Sequence, residues 1–305
     1  MSFDIVALGE PLYELNQQPD GRFLPGFGGD TSNVVVAAAR LGASAAYVTR
    51  LGSDMFGDAI MDLWRAEKVD SSAVIRDAEA PTGLYFVTHS ASGHDFTYRR
   101  AGSAASRMTP ADVPRDMIKA ARFLHVSAIS QAISQTAAAA VDNAIGIARE
   151  SGTKICFDTN YRSRLWSTAK AWNAIGRVAA SAHILKTSVD DSTALIGLTD
   201  PAAIADRYLS LGGEVVIVTL GADGVLLATR DAKRHIEGFK VAAIDATGAG
   251  DAFTGALLAE RARGAELAMA VRFANAAAAL STLGYGAIKP LPGRAAVEQF
   301  MRSMP

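Results

Sequence analysis

Strand-length apolar segments alternate with longer helical patterns along most of the chain, and this alternation limits the folds that it can adopt. The segments predicted as strands are Asp4–Leu8, Ala45–Thr49, Phe123–Val126, Ile155–Asp158, His183–Leu185 and Val215–Thr219. The segments predicted as helices are Thr31–Leu41, Met55–Ala66, Ala249–Arg263, Leu267–Leu283 and Arg294–Met301. Such alternation is typical of a doubly wound, mostly parallel sheet with helices on both faces. We therefore predict an α/β fold in which residues 1–305 form a single unit.

Two stretches interrupt the alternation, Leu12–Phe27 and Ser72–Arg100, because they carry strand-like segments with no helix between them. The second stretch contains Gly83–Thr88 and Phe96–Arg100, joined by a turn-rich segment at residues 90–93. Strands inserted in this way form either a small separate sheet or extra edge strands of the main sheet. The first alternative is a small β-sheet lid over a cleft, with segments at about 12–27 and 72–100, and it is the one that the family resemblance given below implies.

Charge and cysteine content exclude several classes of partner. The 30 basic and 31 acidic residues nearly cancel, so bulk charge attracts neither nucleic acid nor an anionic membrane. Cys156 is the single cysteine and lies in an apolar run, so we expect a buried thiol and no internal disulfide. The amino-terminal segment lacks the pattern of a signal peptide, and we expect a cytoplasmic protein.

The segment from Asp245 to Phe253 is the strongest local signal for chemistry. Gly248, Ala249 and Gly250 have little side-chain bulk, so their backbone N–H groups can approach a ligand at the start of a helix. Such a position suits the charge that develops on a phosphoryl group during transfer. Asp251 lies in the first helical turn, where it is either a functional carboxylate or a helix-stabilising acid.

A second glycine-containing turn follows the predicted strand Val215–Thr219 and holds Gly221 and Gly224. Glycines after a strand can form a nucleotide-binding turn at the carboxyl edge of a sheet. They can equally form a plain hairpin into the next apolar segment.

A third candidate is the glycine pair before the helix predicted at Thr31. Gly29 suits a close backbone approach to a substrate, and Asp30 and Asn33 can form hydrogen bonds with hydroxyl groups. An ordinary helix cap after a turn explains the same residues.

Taken together and in this order, the three motifs resemble those of the PfkB (ribokinase-like) carbohydrate kinases, and the likeness extends over nearly the whole chain. The resemblance implies that Asp251 deprotonates the acceptor hydroxyl and that the amides of Gly248, Ala249 and Gly250 form the anion hole. It implies ATP and Mg²⁺ as cofactors and leaves open a monovalent cation. The residues that it places at the nucleotide are Thr219, Gly221, Gly224, Asn275 and Ser188.

One motif departs from the family pattern. The family's Asn-x-x-Glu segment, which organises Mg²⁺, is replaced here by the segment from Ser188 to Asp191. The resemblance makes Asp191 a residue of the metal shell, whereas the residues alone also fit an amino-terminal cap of the following helix.

Within the family, the segments Tyr98–Ser106 and Asp158–Trp166 are similar to those of kinases that act on 2-keto-3-deoxygluconate. This resemblance implies that guanidinium groups bind the substrate carboxylate and that tyrosines and the glycine-pair motif contact the sugar. The substrate residues that it indicates are Arg100, Arg162, Tyr85, Tyr98, Gly29, Asp30 and Asn33.

The residues leave alternatives to this assignment. Arg99 competes with Arg100 for the substrate contact, and each arginine alone fits a surface charge paired with an acid. The alternative functions are a fructokinase, a deoxygalactonate-type keto-acid kinase and a catalytically silent sugar-binding protein. Because the surface of a lid sheet often pairs between subunits, we also expect a homo-oligomer, most simply a dimer.

Overall fold

The structure is a computed structural model that describes residues 2–90 and 93–304. The strands are β1 (Ile5–Leu8), β2 (Leu12–Gln17), β3 (Phe23–Gly28), β4 (Ala45–Val48), β5 (Arg50–Gly52), β6 (Ile75–Asp77), β7 (Leu84–Ser90), β8 (Gly93–Arg99), β9 (Phe123–Ser127), β10 (Lys154–Asp158), β11 (Ile184–Ser188), β12 (Val215–Thr219), β13 (Val225–Ala228) and β14 (Lys233–Ile236). The α-helices are α1 (Asp30–Arg40), α2 (Met55–Ala66), α3 (Arg115–Ala120), α4 (Ala128–Ala132), α5 (Gln135–Ser151), α6 (Thr168–Ala179), α7 (Val189–Ile196), α8 (Pro201–Leu209), α9 (Ala249–Ala262), α10 (Leu267–Ser281) and α11 (Arg294–Ser303). Short 3₁₀ turns occur at Ala104–Arg107, Pro110–Asp112 and Gly221–Asp223.

The main sheet has eight strands in the order β14-β13-β12-β11-β10-β9-β1-β4. The six strands from β12 to β4 are parallel, whereas β13 is antiparallel to β12 and β14 is antiparallel to β13. The order of the strands along the chain reverses between β1 and β9. Open α/β sheets bind ligands at such a point, in the crevice outside the carboxyl ends of the strands. The predicted doubly wound α/β fold is confirmed.

Helices cover both faces of the main sheet. Neighbouring residues on β1 enter opposite cores, since Ile5 packs with α1, α9 and α10 while Val6 packs with α5, α6 and α8. All four residues of this strand are buried, as expected of a central parallel strand. Alanine-rich α9 and α10 bury residues such as Leu257 and Phe273, which agrees with the prediction of packed helices.

A separate four-stranded sheet, hereafter the small sheet, has the order β3-β2-β7-β8. It is not hydrogen-bonded to the main sheet, so the alternative of extra edge strands is wrong. Its pairs are antiparallel except for β2 and β7, which run parallel from Tyr13 opposite Leu84. Residues 72–83 do not belong to it, because β6 pairs with β5 in a two-stranded sheet. The turn predicted at residues 90–93 includes Ala91 and Ser92, which lie outside the described residues.

The Cys156 thiol is buried in β10, as predicted. Burial raises the pKa of this thiol far above its usual range, which makes it unreactive. Within the described part of the chain, no helix is both long and apolar enough to cross a bilayer.

Candidate active site

The turn before α9 has a backbone conformation that only glycine adopts easily. Gly248 has φ of 76°, and a Cβ built on it would lie 2.9 Å from the Cβ of Ala287. Ala249 donates its backbone N–H to Ala246. Among the described residues, no acceptor is found for the backbone N–H groups of Gly248, Gly250 and Asp251. These three N–H groups at a helix amino terminus provide donors for an anion.

Asp251 lies in the first turn of α9 and accepts a hydrogen bond from Asn33. The distance from Asn33 Nδ2 to Asp251 Oδ2 is 2.8 Å, which joins the starts of α1 and α9. Burial raises the pKa of Asp251 to about 7, the negative charge of Asp30 adds to this effect, and the ammonium of Lys186 opposes it. A carboxylate with a pKa near neutral pH is suited to accept a proton.

The glycine pair before α1 allows three parts of the chain to meet. Gly29 has φ of 98°, and a Cβ there would collide with the backbone of Glu10 at the end of β1. A Cβ on Gly28 would collide with the Tyr85 ring of the small sheet. Asp30 accepts 2.8 Å hydrogen bonds from the backbone N–H of Thr31 and from Asn160 Nδ2. The structure therefore brings Asp30 and Asn33 beside Asp251, although they are far apart in sequence.

Arg100 follows β8 of the small sheet and forms an ion pair with Glu10, whose side chain is fully buried. Ser103 also donates to Glu10, at 2.9 Å. Burial raises the pKa of Glu10, and the positive charge of Arg100 opposes this shift. Arg99 is exposed on β8, so of the two candidate arginines it is Arg100 that reaches the interior. Its charge is balanced by Glu10.

Arg162 and Asp191 face each other at 3.5 Å, with half of the Arg162 side chain exposed. Ser188 caps α7 by accepting the backbone N–H of Asp191 at 2.9 Å, so the capping interpretation of this segment describes the local geometry. Burial raises the pKa of Asp191, and the nearby negative charge of Asp158 raises it further. Asp191 thus offers a carboxylate to a cation, although no cluster of three or more potential metal ligands occurs among the described residues.

Tyr85 and Tyr98 stack on the small sheet with ring centroids 5.9 Å apart. Tyr85 is buried and donates its hydroxyl to Glu14, whereas 38% of Tyr98 is exposed. The Arg100 guanidinium lies 5.4 Å from the centre of the Tyr98 ring. Both tyrosines thus lie on the same face of the small sheet, next to Arg100.

The residues predicted at the nucleotide lie at the carboxyl end of β12 and beyond it. Thr219 Oγ1 donates to the Thr187 carbonyl at 3.2 Å. Gly224 ends the turn between the antiparallel strands β12 and β13. A Cβ on Gly224 would collide with the Ile236 carbonyl. The side-chain amide of Asn275 is buried and donates to the carbonyls of Ile236, at 3.2 Å, and Glu237, at 3.0 Å. Asn275 therefore fixes the chain after β14.

Lys186 is a residue that sequence reasoning missed. It is buried in β11, and its Nζ lies 2.7 Å from Asp158 Oδ2 on the neighbouring strand β10. A Cβ built on Gly250 would lie 3.0 Å from the same Nζ. The predicted strand stopped at Leu185, just before this lysine. A lysine directly after an apolar strand, with an acid at the end of the preceding strand, was the available signal.

The family model for pfkB family carbohydrate kinases matches residues 3–294. The chain belongs to this family. The 2-dehydro-3-deoxygluconokinase of Thermoproteus tenax is 35% identical over 98% of this chain and 94% of the relative. Fructokinase-1 of Oryza sativa subsp. japonica is also 35% identical, over 98% of each chain.

A solved structure of the same shape is the fructokinase of Vibrio cholerae O395 in its fructose, ADP and calcium ion bound form. It superimposes with a TM-score of 0.90 at 30% identity and covers 98% of this chain and 99% of its own. Membership in the pfkB family makes this chain a sugar kinase that uses ATP. The two relatives of equal identity act, by their names, on different sugars.

Proposed function

We propose that this pfkB-family kinase transfers the γ-phosphoryl group of ATP to the terminal hydroxyl of 2-keto-3-deoxygluconate. The observation that carries the reaction is Asp251, a carboxylate with a pKa of about 7 beside the unpaired N–H groups of the turn before α9. The observation that favours a keto acid is Arg162, whose side chain is half exposed and lies 3.5 Å from Asp191. Its Nη1 donates to the Tyr161 carbonyl at 2.9 Å, and the other donors of the guanidinium are left for a substrate carboxylate.

In the proposed reaction, Asp251 accepts the proton of the terminal hydroxyl while that oxygen attacks the γ-phosphorus. The new oxygen–phosphorus bond forms as the bond between the γ-phosphorus and the bridging oxygen breaks. The electron pair of the broken bond stays on the β-phosphate of ADP. The N–H groups of Gly250 and Asp251 stabilise the charge on the phosphoryl oxygens.

Asp191 would hold a divalent cation close to the nucleotide, because it occupies the acidic position of the family's metal-organising segment. A bound Mg²⁺ supplies neutralisation of phosphate charge. Asp191 stands where the family pattern has glutamate, and its shorter side chain suits binding through a water molecule.

The second candidate substrate is a neutral ketose such as fructose. It is favoured by the ion pair between Arg100 and Glu10, because a guanidinium already paired with a buried carboxylate offers less attraction to a substrate acid. The rice relative of equal identity is named as a fructokinase.

A coupled assay of ADP release with ATP and Mg²⁺ separates these candidates when 2-keto-3-deoxygluconate, fructose and ribose are compared. We expect the highest kcat/KM on the keto acid. The Arg162→Ala variant should then raise KM for the keto acid by about 10–100-fold and leave any turnover of fructose unchanged. Arg164→Ala, at an exposed position in the same segment, is the matched control. If fructose alone is phosphorylated, the keto acid is not the substrate and fructose takes its place. If none of the three sugars is phosphorylated, both assignments are contradicted.

We also propose that the small sheet acts as a lid and as the contact between two copies of the chain. Its face opposite Tyr85 is apolar, because Phe23 and Phe86 pack edge to face at 5.7 Å and Phe23 is 40% exposed. Covering such a face by a second subunit removes apolar area from water. Light scattering on the purified chain should give a dimer mass, and a monomer mass would contradict the proposed contact.

A further inference from the structure

Lys186 is a buried ammonium in the middle of the candidate active site. It is 7% exposed on β11 and forms a 2.7 Å ion pair with Asp158, itself 2% exposed. The charge of Asp158 raises the pKa of Lys186, against the effect of burial, so the group stays protonated. A buried ion pair of this kind is often no more stabilising than a pair of apolar residues. Its presence here therefore calls for a role other than stability.

The position of Lys186 relative to the turn before α9 suggests that role. A Cβ built on Gly250 would lie 3.0 Å from Lys186 Nζ, so the ammonium lies directly against the backbone of this turn. The backbone N–H groups of Gly250 and Asp251 in the same turn have no acceptor among residues 2–90 and 93–304.

The hydrogen-bonding capacity of Lys186 is not used up. An ammonium has three N–H donors, and Asp158 is the one hydrogen-bond acceptor found for Nζ in the described parts of the chain. The remaining donors lie beside a turn whose own donors are unpaired. A small anion at this turn would therefore meet backbone N–H groups and a fixed positive charge.

We propose that Lys186 donates a hydrogen bond to the γ-phosphoryl group of bound ATP, as the cationic member of the anion hole. The inference rests on the proposed ATP-dependent reaction and is independent of which sugar accepts the phosphate. No covalent bond to Lys186 forms, and its proton stays on Nζ throughout the transfer. Asp158 holds the ammonium in place.

The affinity of the chain for two nucleotides tests this contact without any sugar. Calorimetry in the presence of Mg²⁺ would compare the β,γ-imido analogue of ATP, which has a γ-phosphoryl group, with ADP, which has none. The Asp158→Asn/Lys186→Met double variant removes both charges, so no unpaired charge is left buried. We expect this variant to lose about 10–100-fold in affinity for the analogue, with ADP affinity nearly unchanged.

Two single variants serve as controls for this measurement. Asp158→Asn keeps the ammonium but removes the carboxylate that holds it, so it measures the share of the loss that comes from the carboxylate and should keep a larger analogue-to-ADP affinity ratio than the double variant. Lys154→Met removes an exposed lysine from the start of β10 and should behave like the wild type. An unchanged analogue-to-ADP ratio in a folded double variant would overturn the proposal, as would an equal loss of the ratio in Asp158→Asn and in the double variant.

Turnover provides a second readout, measured on whichever sugar the wild type phosphorylates best. Loss of one donor from an anion hole lowers kcat by about 100-fold or more, while KM for the sugar changes little. A rise in sugar KM with kcat intact would instead assign Lys186 to the substrate. If the wild type prefers fructose, the keto-acid assignment fails while the role of Lys186 stands.

Discussion

The crevice at the carboxyl ends of the main sheet and the small sheet beside it use polar groups differently. In the crevice, polar side chains from β10, β11, α1 and α9 pair with one another, as in the contacts of Lys186 with Asp158 and of Asn33 with Asp251. In the small sheet, Glu14 pairs with Tyr85 inside the sheet, and Arg100 reaches out to Glu10 at the end of β1. The proposed function assigns the chemistry to the first region and contact with the bound sugar to the second.

The two regions also differ in apolar support. The main sheet lies between two large cores, whereas the buried core of the small sheet consists of Leu12, Tyr85 and Val87. A sheet with so little core of its own depends on contacts with the rest of the molecule. Substitutions in the crevice should therefore change kcat, and substitutions in the small sheet should change stability and KM.

The largest effect is expected in the crevice, for Asp251→Asn. Loss of the general base should lower kcat by about 10²–10⁴-fold in a folded protein. The exposed Asp190→Asn on α7 is the matched control and should retain wild-type kcat. Steady-state kinetics on the best sugar measures both variants, and near-normal turnover of Asp251→Asn would remove the base assignment.

The next effect is on the stability of the small sheet. Arg100→Met leaves the buried Glu10 without its ion-pair partner and should lower the free energy of unfolding by about 3–5 kcal/mol. The Glu10→Gln/Arg100→Met double variant should recover much of this loss. Arg99→Met, at an exposed site, should change stability by about 0.5 kcal/mol or less. Urea unfolding measures all three, and a stable Arg100→Met would show that the small sheet is not anchored by this pair.

The pH dependence sharpens the comparison, because the crevice contains a carboxylate with a pKa of about 7. The charges that act on Asp251 are those of Asp30 and Asp158, which raise its pKa, and of Lys186, which lowers it. Since the ionised form is active, kcat/KM should fall about tenfold per pH unit below this pKa. A pH profile with no inflection near neutrality would contradict this assignment.

The same pKa has a consequence for stability. The folded-state pKa of Asp251 lies above the ordinary aspartate value of 3.8, so the folded protein binds this proton more tightly than the unfolded chain does. The ionised carboxylate therefore lowers the free energy of unfolding above about pH 7, and the penalty fades as pH falls toward 4. Asp251→Asn should accordingly be more stable than wild type at pH 8, with the difference absent near pH 4. Thermal melts at the two pH values check this.

The smallest effect is expected for Tyr98→Ala on the small sheet. The ring is 38% exposed and stacks on Tyr85, so its removal should raise the sugar KM a few-fold, by about 1 kcal/mol of binding, with kcat unchanged. Phe86→Ala, on the opposite face of the sheet, is the control for nonspecific loosening. A fall in kcat for Tyr98→Ala would contradict the expectation that substitutions in the small sheet change KM and stability and leave kcat unchanged.

The sequence predicted elements well where local periodicity is strong. The helix Met55–Ala66 and the strand Val215–Thr219 have the predicted bounds. β11 extends to Ser188, beyond the predicted end at Leu185. Its last residues are polar, and they belong to the strand because their backbone pairs with the neighbouring strand β12. That pairing is a tertiary contact, and no local pattern contains it.

The same limit applies to the site. Motif spacing marked Asn33 and Asp251 separately, but their hydrogen bond spans 218 residues of sequence. The ion pair between Arg100 and Glu10 joins the segment Tyr98–Ser106, which the resemblance had indicated, to a glutamate after β1 that had not been singled out. Sequence reasoning therefore singled out the candidate groups, and only the fold shows which of them neutralise each other.

The parallel pairing of β2 with β7 has a consequence for the order in which the molecule forms. Tyr13 faces Leu84 across this pair, about 70 residues away in sequence, so a long loop must close before the two halves of the small sheet meet. The loop contains β4, which pairs with β1 in the main sheet. We infer that the small sheet is completed last during folding, so that a binding-competent cleft appears after the core is intact. Pulse-labelling hydrogen exchange should show amides of β2 and β7 protected later than those of β1, and simultaneous protection would disprove this order.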